Sequence, residues 1–261
     1  MRRLLSVILA VLAPAALWCR ADDGTQTARE VVLASMDAYL SAIDALPADR
    51  AGDEVDFMIS SVGDSVLRNS VAVKAYNHFR HSPVMGSENV AVHIYDRWFA
   101  TYETLFEHIE DLDEAEFYAY INRRSLLGVK GERLALPSVD SDTLAVPFPN
   151  GRRSIIYFYS TDCPKCLYTS VKLCELMKGL DPDVDFFAVY TGNDTARWQS
   201  YISRELAVES SRAAVYHLCG GDSDFVLAYG VVQTPRLFLL DGSGRIIGRN
   251  LDVDALSTLL D

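Results

Sequence analysis

Basic residues are scarce in this chain of 261 residues: Lys and Arg number 24 against 36 Asp and Glu, a formal charge of −12. Such an excess repels a phosphate backbone, which argues against sequence-independent binding to nucleic acid, and it weakens attraction to anionic lipid. Cysteine is also sparse. Five cysteines cannot staple a chain of this length into a disulfide scaffold. No Gly-rich phosphate loop, nucleophile elbow, internal repeat or low-complexity tract occurs, and beyond the first residues no hydrophobic run is long enough to span a bilayer. What the chain does have is apolar substance, 49% hydrophobic residues against 23% charged, enough to bury a core and to exclude general disorder.

Residues 1–21 read as a secretory signal. Arg2 and Arg3 precede an uncharged run from Leu4 to Leu17, interrupted by Pro14 and followed by Trp18-Cys19-Arg20-Ala21. The run falls short of the roughly 20 residues that span a membrane as a helix. Cleavage after Ala21 leaves an exported chain, periplasmic or in the cell envelope, with no membrane span. A lipoprotein anchored through Cys19 is the alternative, although Ala16 and Trp18 stand where lipoproteins resemble one another in carrying Leu and a small residue. Removal of the signal leaves four cysteines, an even number in an oxidising compartment.

Two textures follow. From Thr25 to about Leu127 apolar residues recur at helical spacing: Val32, Met36, Tyr39, Leu40 and Ile43; then Val55, Met58, Ile59, Val62 and Val66; then Val90, Ile94, Tyr95, Trp98 and Tyr102; then Phe117, Tyr120 and Ile121. Pro47, Pro83 with Gly86, and Asp111 to Asp113 punctuate them as turn or cap signals. The pattern predicts a small all-α domain over 25–127. After Gly128, β-type runs at Ser154–Ser160, Val184–Tyr190, Ala213–Leu218, Arg236–Leu240 and Arg245–Gly248 alternate at first with helical stretches, which implies βαβ units and an α/β domain over 128–261. Asp241-Gly242-Ser243-Gly244 predicts a tight antiparallel turn, Leu251 to Leu260 a closing helix, and 128–150 a connector with a short hairpin.

The chemistry concentrates in Cys163-Pro164-Lys165-Cys166. An apolar strand, Ser154 to Tyr159, leads through Ser160-Thr161-Asp162 into this motif, which opens the segment to Met177. Cys163 then sits at a helix N-terminus, where unpaired N–H groups and the helix dipole favour a thiolate. Pro164 suits the first helical position, Lys165 adds positive charge nearby and Asp162 opposes it. In this arrangement Cys163 can attack a disulfide and Cys166 can resolve the mixed disulfide. C-x-x-C is also a zinc half-site, but Cys174 and Cys219 offer no second pair. Cys174, about 12 Å along the helix from Cys166, is beyond bridging distance. It can pair with Cys219, or both can be buried free thiols, the slightly preferred reading.

Residues 128–261 resemble the thioredoxin fold, in particular the secreted bacterial thiol-disulfide oxidoreductases of the TlpA and ResA kind. Cys163-Pro164-Lys165-Cys166 after a buried strand carries the resemblance, together with Thr234-Pro235 just ahead of the strand Arg236 to Leu240 and Asp241-Gly242 after it. The resemblance implies a cis Pro235 against the active-site pair, with Thr234 offering backbone groups to an extended substrate. It implies protein thiols and disulfides as partners, an unidentified redox partner, and no cofactor beyond the Cys163–Cys166 disulfide. The helical region, through Tyr76 to Phe79 and Ser82 to Asn89, resembles an uncharacterised domain found ahead of thioredoxin modules in exported bacterial proteins. Asp162 replaces the Trp usual before the first Cys, and Tyr157 replaces a buried acid six residues ahead of it. Tyr can donate a hydrogen bond but is a poor base near neutrality, so proton transfer from the resolving thiol involves water or another group. Peroxiredoxin chemistry fits less well, because that family's Pro and Thr are missing at the matching positions.

Other signals carry less. His78 and His81, with His93 and Glu88 nearby in sequence, could suit a metal, but the histidines read as polar surface or satisfied core groups, and Asp111, Asp113, Glu114 and Glu116 as a solvated helix start without calcium-loop spacing. Tyr76, Phe79, Tyr95, Trp98 and Tyr102 read as core first and partner groove second, and Trp198 as packing. The enzyme reading has one rival, a non-catalytic adaptor whose thioredoxin-like module keeps the fold without turnover.

Overall fold

The computed structural model describes residues 22–101, 109–140, 142–208 and 211–261. The expected signal, with Cys19, and Tyr102 lie outside them. The chain divides into two compact units, Met1–Ala119 and Tyr120–Asp261.

The first unit is helical: α1 (Asp22–Ile43), α2 (Ala48–Ser60), α3 (Ser65–His81), α4 (Ser87–Ile94) continuing into a π-helical turn (Tyr95–Phe99), and most of α5 (Ile109–Asn122). The helical spacing of the sequence buries Val32, Met36, Leu40 and Ile43 on α1 and Val55, Met58 and Ile59 on α2. Three apolar assignments fail. Val66 is 60% exposed, because Asp64 accepts the Leu67 N–H as an N-cap and starts a new helix whose inner face is Val71, Ala75, Tyr76 and Phe79. On α5, Phe117 and Tyr120 face outward while Ala115 and Ala119 are fully buried, so small residues rather than aromatics make the inner stripe. Asp111 to Asp113 lie within that helix rather than in a turn ahead of it. The histidines each take a partner of their own: His78 on Asp44, His93 on Asp56 and His81 on the carbonyl of Asn77.

The second unit opens with a hairpin, β1 (Leu134–Pro137) against β2 (Thr143–Val146), inside the expected connector. A mixed five-stranded sheet follows: β3 (Arg153–Tyr159), β4 (Val184–Tyr190), β5 (Ala214–Cys219), β6 (Arg236–Leu240) and β7 (Ile246–Arg249), in the order β5-β4-β3-β6-β7. β3, β4 and β5 are parallel, and β6 runs antiparallel to β3 and to β7. Between the strands lie α6 (Pro164–Gly179), α7 (Thr195–Glu205), α8 (Phe225–Tyr229) and the closing α9 (Val253–Leu260). This is a thioredoxin-like fold, a mixed sheet flanked by helices and preceded by an all-helical region.

The continuous apolar runs of β3 and β4 follow from burial on both faces. Alternate side chains divide between two cores. Ile155, Tyr157, Tyr159, Phe186, Ala188 and Leu237 pack under α6, α7 and α9, whereas Ile156, Phe158, Phe187, Val189 and Phe238 pack with the hairpin and α8. The Asp241 to Gly244 turn closes with Gly244 N–H on the Asp241 carbonyl, and the Asp241 carboxylate accepts from the N–H groups of Ser243 and Arg245. α8 ends at Gly230, whose φ of 66° is the left-handed C-cap that glycine adopts without strain.

Candidate active site

The site forms where β3 hands the chain to α6. Cys163 is the N-cap of that helix (φ −96°, ψ 112°), Pro164 occupies its first turn, and the Cys163 Sγ accepts the Cys166 N–H at 3.2 Å. A sulfur stands here where helices usually use a hydroxyl or carboxylate oxygen to satisfy an orphan N–H. Cys163 is partly exposed and Cys166 fully buried. Both are free thiols, as are Cys174 and Cys219. The last two sit half-buried on separate main-chain oxygens, those of Glu205 and Gly192.

The two sulfurs experience opposite environments. For Cys163 the cost of burial, which raises the pKa, is outweighed by hydrogen bonds from Cys166, Thr234 and the main chain of Lys165, and its thiol is held below the ordinary range. For Cys166 burial dominates, reinforced by Cys163, and pushes the thiol up to about 11 against the pull of Thr234 and the Ser160 main chain.

Thr234 and Pro235 arrive from the loop ahead of β6. Their peptide bond is cis, and the Cys163 thiol lies 3.4 Å from the Thr234 carbonyl oxygen. The antiparallel pairing of β6 with β3, Arg236 opposite Phe158, brings this loop to the end of β3 from which the Cys163 motif departs. A second cis bond, Val146–Pro147 after the hairpin, had no signal in the sequence beyond the proline itself.

Lys165 and Pro164 are exposed at the mouth. The expected opposition between Lys165 and Asp162 is modified by Arg197 of α7, whose guanidinium engages both carboxylate oxygens of Asp162 at 2.7 and 2.9 Å. Sequence reasoning missed Arg197, which sits 35 residues away and reaches Asp162 only because β4 carries the chain back beside β3. Leu167, Tyr168 and Val171 continue outward along α6 as exposed apolar side chains, and Val232 does the same ahead of Thr234.

Tyr157 stands beneath the motif, wholly buried, and its hydroxyl donates to the main-chain carbonyl of Cys166 at 2.9 Å. Ser170 Oγ lies 3.2 Å from that hydroxyl and 3.0 Å from the Tyr201 hydroxyl. Tyr159 stacks on both Tyr157 and Tyr201, and its hydroxyl accepts from the Trp198 indole. Ser170 was readable in principle, being one helical turn beyond Cys166 on the same face; Tyr201 was not. Among the described residues no His, Cys, Asp and Glu converge as a metal site.

Comparison with solved structures finds a thioredoxin-like protein from Bacteroides caccae at 13% identity, covering 88% of this chain and 83% of that one with a TM-score of 0.64. Two thiol-disulfide oxidoreductase domains, from Bacteroides vulgatus and Bacteroides thetaiotaomicron, cover 52% of this chain and 98% and 94% of theirs, at 15% and 17% identity and a TM-score of 0.46 each. No curated protein matches. The Redoxin family matches residues 137–259, so the unit that holds Cys163, Cys166, Thr234 and Pro235 is thioredoxin-like in fold and Redoxin-like in sequence.

Proposed function

We propose that this is an exported thiol-disulfide oxidoreductase, active in the periplasm or cell envelope, that exchanges disulfides with proteins through Cys163 and Cys166. The reading rests on one observation: a partly exposed thiol with lowered pKa caps a helix, and a buried thiol of raised pKa follows one turn later. The thiolate is the nucleophile in exchange, and at neutral pH the exposed sulfur is the one that supplies it. Cys163 attacks a substrate disulfide, one substrate sulfur departs with the electron pair of the broken bond, and a mixed disulfide remains. Cys166 then bonds to Cys163 and frees the second substrate sulfur.

The loop at Thr234 and Pro235, within hydrogen-bonding distance of Cys163, supports an extended peptide as the carrier of the attacked disulfide, and the exposed Leu167, Tyr168, Val171 and Val232 support a protein as its source. No helix among the described residues is long and apolar enough to cross a membrane. Residues 1–21 carry the proposal of export, with lipidation at Cys19 as its rival.

Dithiol-dependent reduction of insulin by the native protein, lost in Cys163→Ser, tests the activity. Cys166→Ser should hold substrates as mixed disulfides on Cys163. If the native protein reduces nothing and the trap captures nothing, the adaptor reading takes its place.

A further inference from the structure

Resolution requires the buried Cys166 to lose a proton, yet the groups that bear most on its sulfur are Cys163, Thr234 and the main chain of Ser160, with the un-ionised phenols of Tyr157 and Tyr201 interacting with it as well. On the flanking elements, Asp162 is exposed and engaged by Arg197, Lys165 is exposed, and Glu205 bears on Tyr201 at the far end of α7. A carboxylate buried elsewhere in the sheet, Asp185, pairs with Ser154 rather than Tyr157 and is held by Asn150 and Arg152. What lies under Cys166 is the hydroxyl chain of Tyr157, Ser170 and Tyr201.

The direction of that chain follows from counting protons, since each hydroxyl has one to give. Tyr157 gives its proton to the Cys166 carbonyl. At the Tyr157 contact Ser170 must therefore donate, and its single proton is then spent, so Ser170 accepts from Tyr201. The protons run one way, from Tyr201 through Ser170 and Tyr157 to the Cys166 carbonyl. A mid-helix serine ordinarily bonds back to the carbonyl four residues earlier, here that of Cys166; Tyr157 has taken that place and thereby ties the first turn of α6 to β3. Burial keeps both phenols un-ionised, Tyr201 up to about 12. A saturated, neutral donor chain is unsuited to receiving a proton and well suited to holding a backbone.

We propose that Tyr157, oriented by Ser170 and Tyr201, is a positioning residue for the resolving step: through the Cys166 carbonyl it fixes the first turn of α6 so that the buried sulfur faces Cys163. This deepens the proposed activity and rests on it. In the step, a Cys166–Cys163 bond forms as the bond from Cys163 to the substrate sulfur breaks. Cys166 enters the step as the thiolate, its proton already given to water; the electron pair leaves on the substrate sulfur, which departs as a thiolate and takes a proton from water where its own pKa calls for one, and the Cys163–Cys166 disulfide remains.

An aromatic disulfide that releases a coloured thiolate reports two phases in the reduced protein, attack by Cys163 and then resolution by Cys166. In Tyr157→Phe the attack phase should be unchanged, while resolution slows on the order of tenfold, about 1.4 kcal/mol of barrier. The resolution rate should rise about tenfold per pH unit below the Cys166 pKa in both proteins, because the thiolate fraction alone sets it. Ser170→Ala should slow the same phase, and a thermal melt of each variant checks folding. A merely structural hydroxyl would not move the ratio of the two phases. Resolution at the native rate in Tyr157→Phe would overturn the proposal, as would a flattened pH slope, which would make the chain a proton relay. Absence of the first phase in the native protein would instead reject the Cys163 reading beneath it.

Discussion

The second unit should unfold cooperatively in mild alkali, driven by its buried phenols. Tyr157, Tyr159, Tyr201 and Tyr229 are all buried, and burial pushes each hydroxyl above the ordinary range, Tyr201 to about 12 and the others further. In the unfolded chain all four ionise near pH ~10. Between these values the unfolded state holds fewer protons than the native one, so stability falls as pH rises. At pH ~11 each phenol contributes a loss of about 1.4 kcal/mol, and four together about 6. Cys166 acts in the same sense, since its folded pKa of about 11 lies above the value of an exposed thiol. Cys163 acts oppositely: its lowered pKa stabilises the reduced fold above the unfolded value, loses that effect as pH falls through the folded value, and adds no slope near pH ~11. Against a total of about 5–15 kcal/mol for a domain, the loss brings the unit close to its midpoint. Phenolate absorbance and far-ultraviolet circular dichroism, followed together on the reduced protein, should change in one transition near pH ~11. Tyr159→Phe should move that transition upward at the cost of one hydrogen bond from Trp198. Phenolate absorbance growing smoothly around pH ~10 with the circular dichroism intact would refute the reasoning, because the rings would then be ionising in a folded protein.

Other perturbations have distinct signatures. Arg197→Ala removes an ion pair whose members are 56% and 64% exposed, so chemical denaturation should register no more than about 1 kcal/mol. The same variant leaves the Asp162 charge uncompensated beside Cys163, and the pH midpoint for alkylation of Cys163 should rise. Leu173→Ala opens a cavity in the fully buried face of α6 and should cost about 2–5 kcal/mol in urea titration. Gly230→Ala puts a Cβ at φ 66° within 3.0 Å of the Ile121 carbonyl oxygen, and a loss of about 1 kcal/mol or more is expected in the same assay.

Much of this architecture was legible because its signals are local. Val184–Tyr190 and Arg236–Leu240 are the observed strands to the residue, since each is an apolar run bounded by turn residues, and the neighbouring strands differ only at their ends. The Cys163 motif was legible for the same reason: strand, turn, proline and helix are contiguous. Where the reading failed, the deciding contact was distant. Phe117 and Tyr120 counted as apolar but face outward, since the packing of α5 favours Ala115 and Ala119. Arg197, Ser170 and Tyr201 entered the site through tertiary placement, and a spacing rule can reach only Ser170 among them.

Tyr157 illustrates how the same position can be read and still hold more than the reading contained. As a replacement for a buried acid it implied a missing base, which is a statement about proton transfer alone. In the folded chain its hydroxyl faces a main-chain carbonyl, and the sulfur above it is governed by burial. A carboxylate at that depth would carry a desolvation cost and raise its own pKa, whereas a neutral phenol satisfies the helix carbonyl and stacks on Tyr159. The substitution therefore exchanges base strength for a fixed helix start. The two thiols diverge through their own surroundings, one favoured as an anion by the hydrogen bonds of the first turn and one kept protonated by burial beneath it, and the proposed order of attack and resolution rests on that divergence.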